Sequence, residues 1–172
     1  MHDEVANEVY HVMTKLQIEE SQNEEILDDL ENIYSKTRDI SKESSLIDFD
    51  QNFNELLNDL LISYKTDQVQ VITRNLLNID WKTKAEYKKT TLYRVLQELM
   101  TNMRKHSKAS LVVLTFEEDN NKVNINYSDN GMGCDLKKQV GLQNAENRIQ
   151  TSGGSIIFET EINKGFKAKI TI

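Results

Sequence analysis

Apolar residues recur every three or four positions through the front of the chain. Val5, Val9, Val12, Met13 and Leu16 form one helical stripe. A polar stretch of Glu, Ser, Gln and Asn over residues 19–25 reads as a turn, after which Ile26, Leu27, Leu30, Ile33 and Tyr34 repeat the stripe. These two helices form a hairpin over residues 1–42, too narrow in its apolar surface to stand alone. The expected solution is pairing with a second copy into a dimeric four-helix bundle. SKESSLID (41–48) is a polar link, and a second unit is expected over residues 49–172.

In that unit Phe53, Leu56, Leu57, Leu60, Leu61 and Tyr64 mark a helix, and Val69 and Val71 alternate as a strand. The stretch 84–106 predicts a long helix that buries Tyr87, Leu92, Val95, Leu96, Leu99 and Met103. Residues 110–117 and 122–128 read as strands joined through Asp119-Asn120-Asn121. A helix over about 141–151 ends at Gly153-Gly154, and strands 155–162 and 166–172 turn at Asn163-Lys164-Gly165. The fold class is α+β: the helical hairpin, then a two-layer α/β sandwich with helices on one face of a mostly antiparallel sheet.

Charge sharpens the division. Residues 1–50 hold 4 Lys/Arg against 14 Asp/Glu, and residues 51–172 hold 17 against 14. An acidic front and a mildly basic rear imply different partners. The net charge of −7 argues against nucleic acid as a partner. No stretch approaches the ~18 apolar residues of a membrane span. One cysteine, Cys134, excludes an internal disulfide and a thiolate metal cage.

Candidate chemistry gathers in three segments. On the long helix Glu98, Asn102, Lys105 and His106 stand at i, i+4, i+7 and i+8, so the helical period puts all four on one face. A carboxylate, an amide, an amine and an imidazole suit a cation and phosphate. Asp129-Asn130-Gly131-Met132-Gly133 follows a strand, where glycines let backbone approach a ligand and the Asp accepts a hydrogen bond. Gly141-Leu142 opens a helix whose free N–H groups suit phosphate. Taken singly, DNG is a common turn and the helix face a solvated one; their joint order carries the signal.

In that order the chain resembles the ATP-binding domain of sensor histidine kinases, within the gyrase, chaperone, histidine kinase and mismatch-repair superfamily. The likeness is to the nitrate-sensor and thermosensor branch, which signals to LuxR-type response regulators. ELMTNMRKH resembles the N box, DNGMG the G1 box and VGLQNAENRIQTSGG a shortened G2 region. The resemblance implies ATP and Mg²⁺ as cofactors, with Asn102 holding the metal and Glu98 orienting metal-bound water or substrate. Lys105 and His106 would face the phosphates, and Asp129 would accept from the adenine amino group. Gly131 and Gly133 would make room for the base, and Gly141 and Leu142 would close a lid.

His2-Asp3-Glu4-Val5-Ala6-Asn7 resembles the H box of the same branch. It implies that His2 takes the γ-phosphoryl group and that Asp3 accepts the proton from the other ring nitrogen. His11 lacks an acidic follower and is read as structural. Asn7 stands where the family often has Gln, tied to phosphatase activity. Phe166 stands where it usually has a hydroxyl. Phe166 packs either on the base or away into the hairpin; on the second course, the one expected, Phe166→Thr tightens ATP binding. Met1 directly precedes His2, which implies a truncated cytoplasmic fragment, tied to a membrane only through missing upstream segments. The expected function is ATP-dependent autophosphorylation at histidine in a homodimer, then transfer to an aspartate of a response regulator. The rivals are an anti-sigma-type serine/threonine kinase and a non-catalytic nucleotide-binding scaffold on the same fold.

Overall fold

The computed structural model describes residues 52–134 and 140–172. The expected helical hairpin over 1–42, the dimeric bundle, His2 and Asp3 lie outside the described residues. What is described is a five-stranded sheet with three helices on one face, the α+β arrangement expected of the rear unit.

Helix α1 (Phe53–Ile62) is capped by Asn52, whose side chain accepts from the Asn54 N–H, and it buries Phe53, Leu57, Leu60 and Leu61. Strand β1 (Gln70–Arg74) pairs parallel with β2 (Leu111–Asp119). Parallel neighbours need a crossover, and α2 (Glu86–Asn102) supplies it. Two 3-10 turns, Leu76–Asn78 and Trp81–Thr83, precede α2. Three residues are too few to show a period, so the apolar pattern gave no sign of either. Trp81 pins the second to α1: its Nε1 donates to Asn54 Oδ1 at 2.8 Å and its ring meets Phe53 edge-on at 4.8 Å.

The stripe of α2 is Leu92, Val95, Leu96, Leu99 and Met100. Tyr87, expected among the buried residues, is 59% exposed. It lies five residues before Leu92, off the stripe that i, i+3 and i+4 spacing defines. The long helix also does not run on as an α-helix to 106. From Met103 to Ser107 it widens into a π turn, ended by Lys108 in the left-handed region at φ +52°.

Strands β2 and β3 (Lys122–Asp129) form a hairpin whose two loop residues, Asn120 and Asn121, both take positive φ. That is the primed turn that matches strand twist, and asparagine tolerates it. Helix α3 (Val140–Thr151) packs on α2 and ends where the Gly154 N–H reaches Ile149 O and the Gly153 N–H reaches Gln150 O. Strands β4 (Ser155–Thr160) and β5 (Phe166–Thr171) close the sheet in the order β1-β2-β3-β5-β4. Their loop is five residues, 161–165, longer than the turn that the sequence predicted.

Alternate residues explain the two layers. Val112, Leu114 and Phe116 of β2, Val123, Ile125 and Tyr127 of β3, and Ala168 and Ile170 of β5 are buried under the helices. The opposite face carries Asn126, Lys167 and Lys169 and is open to solvent. No helix among the described residues is long and apolar enough to cross a membrane.

Lys108 offers a direct check of the helix end. A lysine in the left-handed region is strained in a way that glycine is not. Lys108 is exposed, so Lys108→Gly is expected to raise unfolding free energy by about 0.5–1 kcal/mol in denaturant titration. A loss of stability would contradict the left-handed end.

Candidate functional site

The end of α2 and the end of β3 are brought together by the start of β2. The hairpin register sets Asp129 opposite Val112. Asn130 then fastens the loop: its Oδ1 accepts from the Ser110 and Leu111 N–H groups, each at 2.9 Å. Its own N–H donates to Leu111 O, and the Met132 N–H donates to Ser107 O at 2.8 Å. The DNG segment is therefore tied both to β2 and to the π turn that ends α2.

Between these elements and α3 lies a cavity of about 40 Å³, lined by Asn102, Met103, His106, Tyr127, Asp129 and Leu142, with Leu99, Ser107, Gly133, Cys134 and Phe166 completing it. Counted at roughly 10–15 Å³ per water, it has room for a few solvent molecules. A wider hollow of about 410 Å³ lies between α1 and the end of β1, lined by Asn54, Glu55, Asn58, Thr73 and residues 75–78. Glu55 is its one charged lining residue, and none of the sequence-predicted site residues reaches it.

Asp129 is the chemical centre of the smaller cavity. It is 5% exposed, a depth at which an unpartnered carboxylate is costly. Its Oδ2 accepts from the Tyr127 hydroxyl at 2.9 Å and its Oδ1 from the Gly131 N–H at 2.8 Å. Burial pushes its carboxyl above the ordinary range, while Gly131, Tyr127 and the Phe166 backbone N–H pull the other way. Burial and the Asp129 charge likewise push the Tyr127 phenol up, so it stays protonated and donates. A carboxylate offers about four acceptor directions; the Tyr127 hydroxyl and the Gly131 N–H take two, which leaves capacity for a ligand.

Asn102 belongs to the cavity and to a second cluster. Its Nδ2 donates to Glu98 Oε1 at 3.1 Å, which leaves its Oδ1 as the acceptor able to face a cation. Gly141, near the start of α3, comes so close that a Cβ there would overlap the Glu98 carboxylate and touch the Asn102 amide. Gly131 is equally confined, but by backbone: a Cβ would overlap Ser107 O.

Of the sequence-predicted residues, Asn102, His106, Asp129, Gly133 and Leu142 line the cavity, Gly131 lies against it, and Glu98 and Gly141 meet beside Asn102. Lys105 is exposed and does not line it. The cause is the π turn, which winds wider than an α turn. Four residues past Asn102, His106 still comes back over it, while the wider winding turns Lys105 off the face, so three of the four predicted residues keep to one side. Sequence reasoning missed Tyr127, although strand alternation puts it on the same side as Asp129 two residues on. It also missed Ser107, for which no sequence signal exists.

Phe166 neither simply faces a ligand nor turns away. It is 8% exposed, packs on Tyr127 at 6.1 Å and Phe158 at 5.7 Å between ring centroids, and lines the cavity. It stands beside Asp129 in the β3–β5 ladder and props the sheet there; with that packing, Phe166→Thr is expected to weaken binding or stability by removing aromatic burial, where packing away from the site would have tightened ATP binding.

The two confined glycines give opposite expectations. Gly141→Ala meets only the mobile end of a side chain, and alanine favours a helix by roughly 1 kcal/mol. The fold is expected to hold or gain stability while the Glu98–Asn102 contact is displaced, read as a shift of the Asn102 side-chain amide signals by NMR. Gly131→Ala meets backbone and is expected to cost roughly 1–3 kcal/mol. Equal thermal effects from both would contradict the two packings.

No family model matches the chain. It is 37% identical over 87 residues to the sensor histidine kinase ComP of Bacillus subtilis and 35% identical over 91 residues to the signal transduction histidine-protein kinase/phosphatase DegS of Brevibacillus brevis. A third relative, the sensor histidine kinase YxjM of Bacillus subtilis, is 29% identical over 83 residues. The matches take in about half of this chain but only 11%, 24% and 20% of those relatives. Among solved structures, the histidine kinase AdeS of Acinetobacter baumannii aligns over 98% of this chain and 96% of its own, with TM-score 0.59 and 15% identity. The histidine kinase domain of the blue-light activated kinase EL346 of Erythrobacter litoralis aligns over 70% of this chain and 58% of its own, with TM-score 0.56 and 14% identity. At such identities the structural likeness is one of fold. Sequence relatives and fold neighbours agree: about half of the chain is similar to sensor histidine kinases, and its fold is similar to that of solved histidine kinase domains.

Proposed function

We propose that this chain is the ATP-dependent autophosphorylating core of a two-component sensor kinase. Mg-ATP binds in the cleft between α2, β3 and α3, His2 takes the γ-phosphoryl group, and an aspartate on a response regulator then takes it from His2. The observation that carries the nucleotide site is Asp129, a buried carboxylate with acceptor capacity left over, in a cavity lined by Asn102, which is bonded to Glu98.

The residues fit the cofactors. The exocyclic amine of adenine is a donor that Asp129 would accept. A magnesium ion takes one or two protein oxygens beside phosphate and water; the Asn102 amide oxygen and the Glu98 carboxylate offer such a set, and the described residues hold no larger cluster of His, Cys, Asp and Glu. The ion supplies charge neutralisation at the phosphates when bound. Asn102 would hold it and Glu98 would orient its water. His106 and the first turn of α3, opened by Gly141 and Leu142, would face the phosphates. Lys105, exposed on the same turn as His106, is the mobile cation that would reach them.

In the transfer, a ring nitrogen of His2 forms the bond to the γ-phosphorus as the bond to the bridging oxygen breaks and ADP leaves. Asp3 accepts from the other ring nitrogen and steadies the developing positive charge. Because the acceptor and the nucleotide site belong to different segments, a homodimer joined through residues 1–42 would present one to the other. A LuxR-type regulator is the proposed recipient.

His2→Gln separates this function from others on the same fold. The variant is expected to bind ATP as the wild type does and to incorporate no radiolabelled phosphate, while the wild-type label is lost in acid and kept in base. Acid-stable label, or normal labelling of His2→Gln, would contradict phosphohistidine at this position.

A further inference from the structure

Tyr127 is not among the residues that the nucleotide reading needs, yet it supplies a side-chain hydrogen bond to the residue that reading depends on. Its ring is 2% exposed, its hydroxyl donates to Asp129 Oδ2 at 2.9 Å, and it lines the same cavity. Phe166 packs edge-on against the ring at 6.1 Å and fixes it from the β5 side. A phenol that has given its only proton to a carboxylate has an oxygen that can act only as an acceptor. The cavity therefore presents two neighbouring acceptors, an open direction of Asp129 and the phenol oxygen of Tyr127.

We infer that Tyr127 is a specificity and positioning residue of the nucleotide site: it orients the Asp129 carboxylate and, with it, forms a paired acceptor that reads a ligand –NH₂ group through both of its hydrogens. The inference rests on the nucleotide reading above and deepens it. A base with a carbonyl at the same place would set oxygen against two oxygens, and a base with no substituent there would leave both acceptors without a ligand donor, each outcome costly.

The polar and titratable groups around Asp129 are few. Tyr127 stands on its own strand, His106 lines the cavity from the π turn and Cys134 from the loop beyond Gly133, and Phe166 of β5 offers a backbone N–H. The Tyr127 hydrogen bond favours the ionised carboxylate. Removing it moves the Asp129 titration to higher pH, and an acceptor must be ionised to bind an amine at full strength.

The test compares Tyr127→Phe with the wild type by calorimetric titration of ATP and of purine riboside triphosphate, which has hydrogen in place of the amine. The substitution keeps the ring, and so the contact with Phe166. ATP is expected to bind roughly two- to twelvefold more weakly, the range of one hydrogen bond, with purine riboside triphosphate within twofold of wild type. The acid-side midpoint of ATP affinity is expected at higher pH in Tyr127→Phe than in the wild type, and the Asp129→Asn profile, in which this carboxylate cannot titrate, gives the part that comes from the nucleotide and the rest of the protein. Equal weakening of both nucleotides, or an unmoved midpoint, would overturn the inference and leave Tyr127 a packing residue. Selective loss of ATP in Asp129→Asn with no change in Tyr127→Phe would overturn this inference alone; a wild type that binds neither nucleotide would overturn the nucleotide reading with it.

Discussion

The pairing of Val112 with Asp129 across the β2–β3 hairpin is the constraint on which the site depends. Strand β2 begins three residues after the left-handed end of the π turn. Once the hairpin is in register, the last residue of β3 has nowhere to lie except beside the last turn of α2. The two-residue turn at Asn120-Asn121 sets that register. A slip by one residue would reverse every side chain of β3, burying Asn126 and exposing Asp129. The Asn130 and Ser107 bonds hold the junction at the other end of the hairpin. Residues separated by more than twenty positions thus form one wall because of a strand register, before any ligand is considered.

The site is costly to the fold, and its surroundings offset the cost. Asp129 is one of only three polar or charged residues counted as buried among the described residues, and burial alone disfavours its charge. Tyr127, Gly131 and Phe166 supply the donors that make the charge tolerable. Those donors are set by the same sheet pairing, since Phe166 stands opposite Asp129 in the β3–β5 ladder. A group that is partly and not fully satisfied, at the wall of a cavity, is suited to recognise a donor. Beside it, Glu98 and Asn102 are tied to each other across one helical turn and bounded by Gly141, so this second polar cluster adjoins the Asp129 cavity at the end of α2.

The elements of the rear unit were legible because their periods are long and regular. The β2–β3 hairpin, the GG end of α3 and the apolar stripe of α2 from Leu92 onward follow directly from spacing. So does the shared face of Glu98 and Asn102, four residues apart on an α-helix, where the structure adds the hydrogen bond between them. Legibility ends where the period changes. A π turn has no apolar signature, so Lys105 was placed on a face that the winding does not preserve. The 3-10 turns at Leu76–Asn78 and Trp81–Thr83 are too short to carry a pattern. The close approaches of Gly131 to Ser107 and Gly141 to Glu98 are tertiary, and no local rule gives the neighbour that forbids a side chain. Tyr127 is the instructive omission: alternation alone puts it beside Asp129, but its role depends on Asp129 being buried, which only the packed sheet decides. The roles given to His2 and Asp3 rest on sequence resemblance, since both stand outside the described residues.

The central claim is that adenine nucleotide occupies the cleft between α2, β3 and α3. The most direct measurement is an NMR titration of the isotopically labelled chain with Mg-ADP, following backbone and side-chain amides. The account predicts that the largest shifts fall on the Asn102 side chain and the backbone amides of Gly131, Gly133 and Leu142, with residues around the Asn54–Asn75 hollow unmoved. Shifts centred on that hollow, or saturating binding that leaves Asn102 and Gly131 unperturbed, would contradict it.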